Sequence, residues 1–110
     1  MSRIIEVYPD AKKDLREIAE YIATDNPSTA FRFLEAAKKT FLKLNEMPQI
    51  GRSFRFYHPD LHDIRVFPVS GFEKFLIFYR PLVGGIAVIH VLHSARDIPA
   101  LFEDEFNFPL

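Results

Sequence analysis

At 110 residues the chain has room for one domain whose core needs neither a metal nor a disulfide. Hydrophobic residues at 48% and charged ones at 26% exclude a disordered or fibrous polypeptide. A net charge of −1 and a pI of ≈ 6.4 argue against a surface that holds a long polyanion by counterion release, and the lack of cysteine removes disulfides, thiolate metal ligands and cysteine nucleophiles. No apolar run approaches the roughly 20 residues that span a bilayer, so a soluble, cytoplasmic protein is expected, with no membrane partner. The charge is unevenly spread. Residues 98–110 carry three acidic and no basic side chains, whereas residues 51–97 carry six basic and four acidic.

In chain order, residues 3–7 are β-branched and end at Tyr8-Pro9, which predicts an opening strand. Pro9 suits a first helical turn, and Asp10 faces the positive end of the helix dipole. Ala11, Leu15, Ile18, Ala19 and Ile22 then form one stripe at helical period, with Lys12, Lys13, Asp14, Arg16, Glu17 and Glu20 on the other face. Asn26-Pro27 stops this helix and caps the next, which runs from about residue 27 to 47 with Ala30, Phe33, Leu34, Ala37, Phe41 and Leu44 on one side. Two helices joined so tightly are antiparallel neighbours.

Pro48 and Gly51 end the second helix, and residues 49–60 read as a loop or weak strand. Three runs follow, at residues 64–67, 75–79 and 86–93, broken by Ser70-Gly71 and by residues 81–85, with Gly84-Gly85 as a hairpin turn. The fold class is therefore α+β in two layers: an opening strand, an antiparallel helical hairpin, then a three-stranded antiparallel meander whose inner face receives the helical stripe. Residues 1–97 make the domain. Residues 98–110 form an acidic tail in which Phe102, Phe106, Phe108 and Leu110 are too apolar for a simple solvated end.

No constellation in the chain points to chemistry by covalent or metal catalysis. His58 and His62 are separated by Pro59, and His90 and His93 differ by an odd number along a strand, so no metal site is expected. His90 reads as a partly polar sheet position and His93 as a hydrogen-bonding group at the strand end. Ser53, Ser70 and Ser94 lack a nucleophile elbow, no glycine-rich phosphate loop is present, and Glu103 and Glu105 sit in a tail without a rigid scaffold. No catalytic residue and no cofactor is assigned. Arg65, Arg80 and Arg96 fall at strand ends or just beyond, where they could form a cationic rim for an acidic or phosphate-bearing partner, or else pair locally and be structural.

Five spaced segments carry a resemblance. They are Ala11-x-x-Asp14-Leu15-x-x-Ile18-x-x-Tyr21-Ile22, Asn26-Pro27-x-x-Ala30, Pro48-x-x-Gly51-Arg52, Ile64-Arg65-x-x-Pro68-Val69 and Val91-Leu92-His93-x-x-Arg96-Asp97. Together, over residues 4–97, they resemble the ParE toxins of the ParE/RelE superfamily of bacterial toxin–antitoxin modules. The resemblance implies a RelE/ParE-like two-layer fold, a plasmid-stabilising toxin that arrests growth by inhibiting DNA gyrase, and a cognate antitoxin whose C-terminal segment wraps the helical hairpin and the sheet. On that reading Arg65, Arg96 and His93 are target-contact candidates, and Tyr21, Ile22, Phe33 and Phe41 are antitoxin-binding candidates. No sequence-specific nucleic-acid binding is expected of the toxin alone, and either a homo-oligomer or a toxin–antitoxin hetero-oligomer is open.

The sister branch, the RelE-like toxins, cuts mRNA on the ribosome. That reaction needs several cations around the scissile phosphate and a group that moves the 2′-hydroxyl proton. Here the second meander run offers Lys74 and then Phe75 to Phe78, and no tyrosine follows Arg96. The nuclease is the alternative reading, with a non-toxic antitoxin-binding module of the same fold as a third.

Overall fold

The computed structural model describes residues 3–54 and 63–96. Their order is β1 (Ile4–Val7), α1 (Pro9–Ala23), α2 (Pro27–Glu46), a 3-10 turn over Pro48–Ile50, β2 (Arg52–Ser53), β3 (Arg65–Val69), β4 (Phe72–Leu82) and β5 (Gly85–His93). The expected strand, helical hairpin and meander are all present. The sheet is larger than the meander alone: its order is β1-β5-β4-β3-β2, with β1 parallel to β5 and the other pairs antiparallel. His58, His62, Asp97 and residues 98–110 lie outside the described residues.

Each helix starts where its sequence provides a start. Pro9 and Pro27 occupy first-turn positions, and the Asn26 side chain accepts a hydrogen bond from the Thr29 N–H at 3.1 Å. The stripe of α2 is buried at Ala30, Phe33, Ala37, Phe41 and Leu44, against Val69, Ile77, Tyr79, Ile86, Val88 and Val91 of the sheet. Leu15, Ile18 and Ile22 of α1 pack beside them. Phe33 is the centre of this layer, meeting Phe72 and Phe75 edge-on with ring centroids 5.4 and 5.2 Å away. Leu34, placed on the inner face by the sequence pattern, lies at its border and is exposed. Thr40, though buried, is satisfied: its hydroxyl bonds the Ala36 carbonyl at 2.7 Å and accepts the Ser70 N–H at 3.2 Å, which ties α2 to the β3–β4 turn.

The sheet is apolar on both faces. Phe54, Ile64, Phe78, Ile89 and Leu92 form a second cluster, with Tyr8, Val66 and Leu76 against it and Phe54 edge-on to Phe78 at 5.4 Å. This explains why β5 reads as a nearly unbroken apolar run, as strands buried on both faces do. A register shift at Phe78/Tyr79, which leaves Ile89 as an extra residue between Val88 and His90, changes the parity of β5 so that Val88 and Val91 both reach the cluster under the helices.

The strand limits of the meander shift by one to three residues from the sequence reading at all but the last, and the shifts around the second turn have identifiable reasons. Pro81 lies within β4, opposite Ile86, where a break was expected. Leu82 and Gly85 close a two-residue hairpin, so Pro81 occupies a non-hydrogen-bonded position towards β5, and β3 has already ended opposite Tyr79. Its missing N–H therefore breaks no ladder bond. The turn itself is Val83-Gly84, with Gly84 at φ 88°, and Gly85 belongs to β5. Gly85 is required by proximity: a Cβ there would lie 1.9 Å from the Ile4 carbonyl oxygen of β1. Arg3 reinforces the same corner, donating from Nε to the Asn45 carbonyl at 2.6 Å.

The corner generates an ordering of stabilities. Gly85→Ala forces β1 away from β5 and is expected to cost about 3 kcal/mol in urea unfolding. Gly84→Ala meets open space and costs only the left-handed backbone penalty, about 1–2 kcal/mol. Equal losses would contradict the close approach of β1 and β5.

Candidate functional site

The distinctive polar contact of the fold lies where β1 runs out. β1 flanks β5 only as far as Val88, and α1 takes over that flank. There the Asp14 carboxylate accepts the Val91 backbone N–H at 2.9 Å through Oδ2, and the same oxygen lies 2.7 Å from His90 Nδ1. Both side chains are largely buried, at 16% and 9% relative exposure. The sequence pattern assigned Asp14 to the solvent face of α1. Its spacing, three after Ala11 and four before Ile18, places it at the border of the apolar stripe, and that was the available signal.

Above this contact, α1 and the end of β5 enclose an open groove of about 400 Å³. Ile18, Phe75 and Val91 give it an apolar floor, while Glu17, Tyr21, His93 and Arg96 supply a polar rim. The His93 ring packs edge-on against Phe75, with centroids 5.1 Å apart, and its Nδ1 accepts the Ala95 N–H at 2.9 Å. In the neutral ring this leaves Nε2 as the remaining N–H donor. The Arg96 N–H bonds the His93 carbonyl at 3.0 Å, and the Ser94 N–H bonds the Lys74 carbonyl at 2.7 Å, so the turn after β5 is held by its backbone. The Arg96 guanidinium itself makes no hydrogen bond or ion pair among the described residues.

Arg65 occupies a different environment. Its Nη1 donates to the Gly51 carbonyl at 2.6 Å and to the Gln49 carbonyl at 3.3 Å. Tyr79 completes that knot: its hydroxyl donates to the Pro48 carbonyl at 2.6 Å and accepts the Gly51 N–H at 3.0 Å. A Cβ at Gly51 would meet the Tyr79 ring and hydroxyl, which explains the glycine in the Pro48-x-x-Gly51 segment. Burial raises the Tyr79 pKa above its ordinary value, with the Gly51 N–H and the Arg65 charge pulling the other way. Arg80 Nε pairs with Asp63 at 2.5 Å.

The register separates these arginines. Arg65 stands opposite Tyr79, whereas His93 stands opposite Phe75, four β4 positions or about 13 Å along the strand, and Arg96 lies beyond. Arg65 and Arg80 therefore share one end of the sheet, and Arg96 and His93 share the other. The common rim considered from the sequence divides in two.

The four hairpin candidates divide as well. Tyr21 is 77% exposed on the groove rim, and Ile22 is half-buried against the core. Phe33 and Phe41 are core residues, 0% and 7% exposed. The apolar side chains that α2 presents outward are Phe31, Leu34 and Leu42, which fall on one face at helical spacing. Sequence analysis did not single out Phe31 or Leu42. Their eleven-residue separation, three helical turns, was the available sign.

A strand, a helical hairpin and a mixed sheet with a groove at one end make an α+β fold compatible with the RelE/ParE-like kind. The family model described as the ParE toxin of type II toxin–antitoxin system, parDE, matches residues 5–98, and the chain belongs to that family. It is thus the toxin component of such a module, and a cognate antitoxin is its implied partner. No curated protein matches the chain. Among the described residues, no helix is long and apolar enough to cross a membrane.

Two tests address this scaffold. Asp14→Ala leaves the Val91 N–H and the His90 ring without their acceptor and is expected to cost about 2–4 kcal/mol, while Asp14→Asn, which keeps an acceptor for Val91, costs less. Unfolding in urea measures both. Because the folded pKa of Tyr79 lies above its unfolded value, the fold favours the protonated phenol. That contribution is complete below the unfolded pKa of 10.0 and is lost as pH rises through the folded one. Stability should therefore fall more steeply above about pH 10 in the native chain than in Tyr79→Phe; parallel curves would contradict it.

Proposed function

We propose that this toxin acts in the bacterial cytoplasm by binding and arresting DNA gyrase, without catalysis of its own, and that its antitoxin lies over the helical hairpin. The observation that carries the reading is the groove end of β5. Arg96 and His93 present donors there beside an apolar floor, a surface suited to docking on a protein.

Transition-state stabilisation of a cleaving phosphate needs several converging cations. Lys74 is the lysine beside this turn, while Arg65 is committed to the carbonyls of Gln49 and Gly51, and Arg80 to Asp63, towards the other end of the sheet. This supports binding over ribonuclease chemistry. On α2, Phe31, Leu34 and Leu42 offer an exposed apolar ridge of the kind an antitoxin segment covers. Phe33 and Phe41 are buried in the core on the sheet side of the same helix.

The two surfaces should separate by mutation. The chain expressed alone in bacteria is expected to halt growth, and the antitoxin encoded beside it to restore growth. Arg96→Ala should raise the dose needed for arrest at least about tenfold while leaving antitoxin affinity unchanged, because it removes a contact only with the target. Phe31→Ala with Leu42→Ala should do the converse, weakening antitoxin affinity about tenfold or more and leaving toxicity intact. Cleaved mRNA with normal plasmid supercoiling would transfer the case to the nuclease reading, and unimpeded growth would leave a non-toxic antitoxin-binding module.

A further inference from the structure

The strand that forms one wall of the groove, β5, keeps bonding capacity on its outer flank. Antiparallel pairs alternate between hydrogen-bonded and open, and the Ser94 N–H bonds the Lys74 carbonyl. Leu92 and His90 therefore turn their backbone groups towards β4, while Val91 and His93 turn theirs outward, to the flank that β1 vacates after Val88. Of these outward groups, Asp14 takes the Val91 N–H, and the Arg96 N–H takes the His93 carbonyl. The Val91 carbonyl and the His93 N–H have no hydrogen-bond partner among the described residues, and both residues line the groove.

We propose that the groove takes an extended peptide segment of the toxin's target, added to β5 as a short parallel strand in line with β1, and that the segment carries an apolar side chain and, two residues later, a carboxylate. This rests on the reading that the groove end of β5 meets the target. Direction follows from which groups are open. In a parallel pair one residue donates to the carbonyl of position i and accepts from the N–H of i+2. β1 already uses β5 in this manner, with the Ile4 and Tyr8 N–H groups donating to the Gly84 and Val88 carbonyls at 2.9 Å each. The Val91 carbonyl and the His93 N–H make a complete site of this kind for one residue. An antiparallel segment would instead point a carbonyl at the Asp14 carboxylate and an N–H at the His93 carbonyl that Arg96 already fills.

Register then assigns the side chains. The bracketed residue sits beside Leu92, so its two neighbours lie beside Val91 and His93 and turn to the same face as those residues, the face under the helices. The first lands on the floor of Ile18, Phe75 and Val91, which suits an apolar group. The second lies by the Nε2 donor of the neutral His93 ring and the Arg96 guanidinium, which suits a carboxylate. Glu17 on the α1 rim is paired with Lys13 at 3.9 Å, so Arg96 is the uncompensated charge of the groove among the described residues.

Amide exchange reads the new bonds directly. In the free toxin the His93 amide should exchange at least about tenfold faster than those of Leu92 and Ser94, which β4 holds. With saturating purified DNA gyrase, residue-resolved exchange should show His93 slowed about tenfold or more, and Val91, already bonded to Asp14, slowed less. His93→Pro removes the N–H and should raise the dose for half-inhibition of supercoiling at least about tenfold beyond His93→Ala, which keeps it; if the proline variant fails to fold, exchange in the native chain decides. An acetylated, amidated pentapeptide centred on Leu-Thr-Glu should slow the His93 amide at millimolar concentration, and one centred on Glu-Thr-Leu should do so far less. Equal slowing by the two peptides, or none by either, would overturn the assigned segment. Gyrase inhibited with the His93 amide still fast would overturn strand addition and leave docking in place, whereas absence of any gyrase complex would overturn both. Slowing by the antitoxin and not by gyrase would overturn the assignment of the groove to the target.

Discussion

The Asp14 carboxylate holds the architecture together at the point where backbone pairing alone would fail. β1 is four residues long and its partner β5 is nine, so beyond Val88 one flank of β5 lacks a strand. An open edge in the interior would leave ladder donors unpaired and invite a foreign strand. Asp14 supplies the missing acceptor to Val91 and takes His90 with the same oxygen, fixing how far along β5 the helix sits. Once α1 is anchored there, α2 follows through the tight Asn26-Pro27 junction, and the groove between α1 and the end of β5 acquires a defined width.

The groove's chemistry depends on what the rest of the chain withholds from it. A positive side chain contributes to recognition when it is exposed and uncommitted, and Arg96 meets both conditions among the described residues. Arg65 meets neither, since its guanidinium closes the turn of residues 48–51 together with Tyr79. Two arginines that look equivalent in sequence thus have opposite environments. One holds the β2–β3 corner to β4, and the other stands at the mouth of the groove.

How much of this was legible beforehand follows from the range of each interaction. Helical period, Asn26-Pro27 and the turn glycines act within a few residues, and they marked the hairpin and meander correctly. The parallel pairing of β1 with β5 joins residues about eighty positions apart and left no local sign except Gly85, whose need for a bare Cα appears only when Ile4 is beside it. Pro81 was taken for a strand end because proline lacks a donor, but that loss matters only where a neighbouring strand would have used it. The helical stripe likewise cannot separate Phe33, which the sheet covers, from a docking residue. Burial decides that: Phe33 and Phe41 are covered, while Phe31, Leu34 and Leu42 face outward.

Membership of the ParE family makes the chain a toxin with an antitoxin partner; action by docking on gyrase is the proposal. The most direct measurement is the supercoiling of relaxed plasmid by purified DNA gyrase, titrated with the purified toxin in the absence of ribosomes. Dose-dependent loss of supercoiling, weakened in Arg96→Ala and restored by added antitoxin, is the predicted result. Undiminished supercoiling at saturating toxin, from protein that still halts growth in cells, would contradict it.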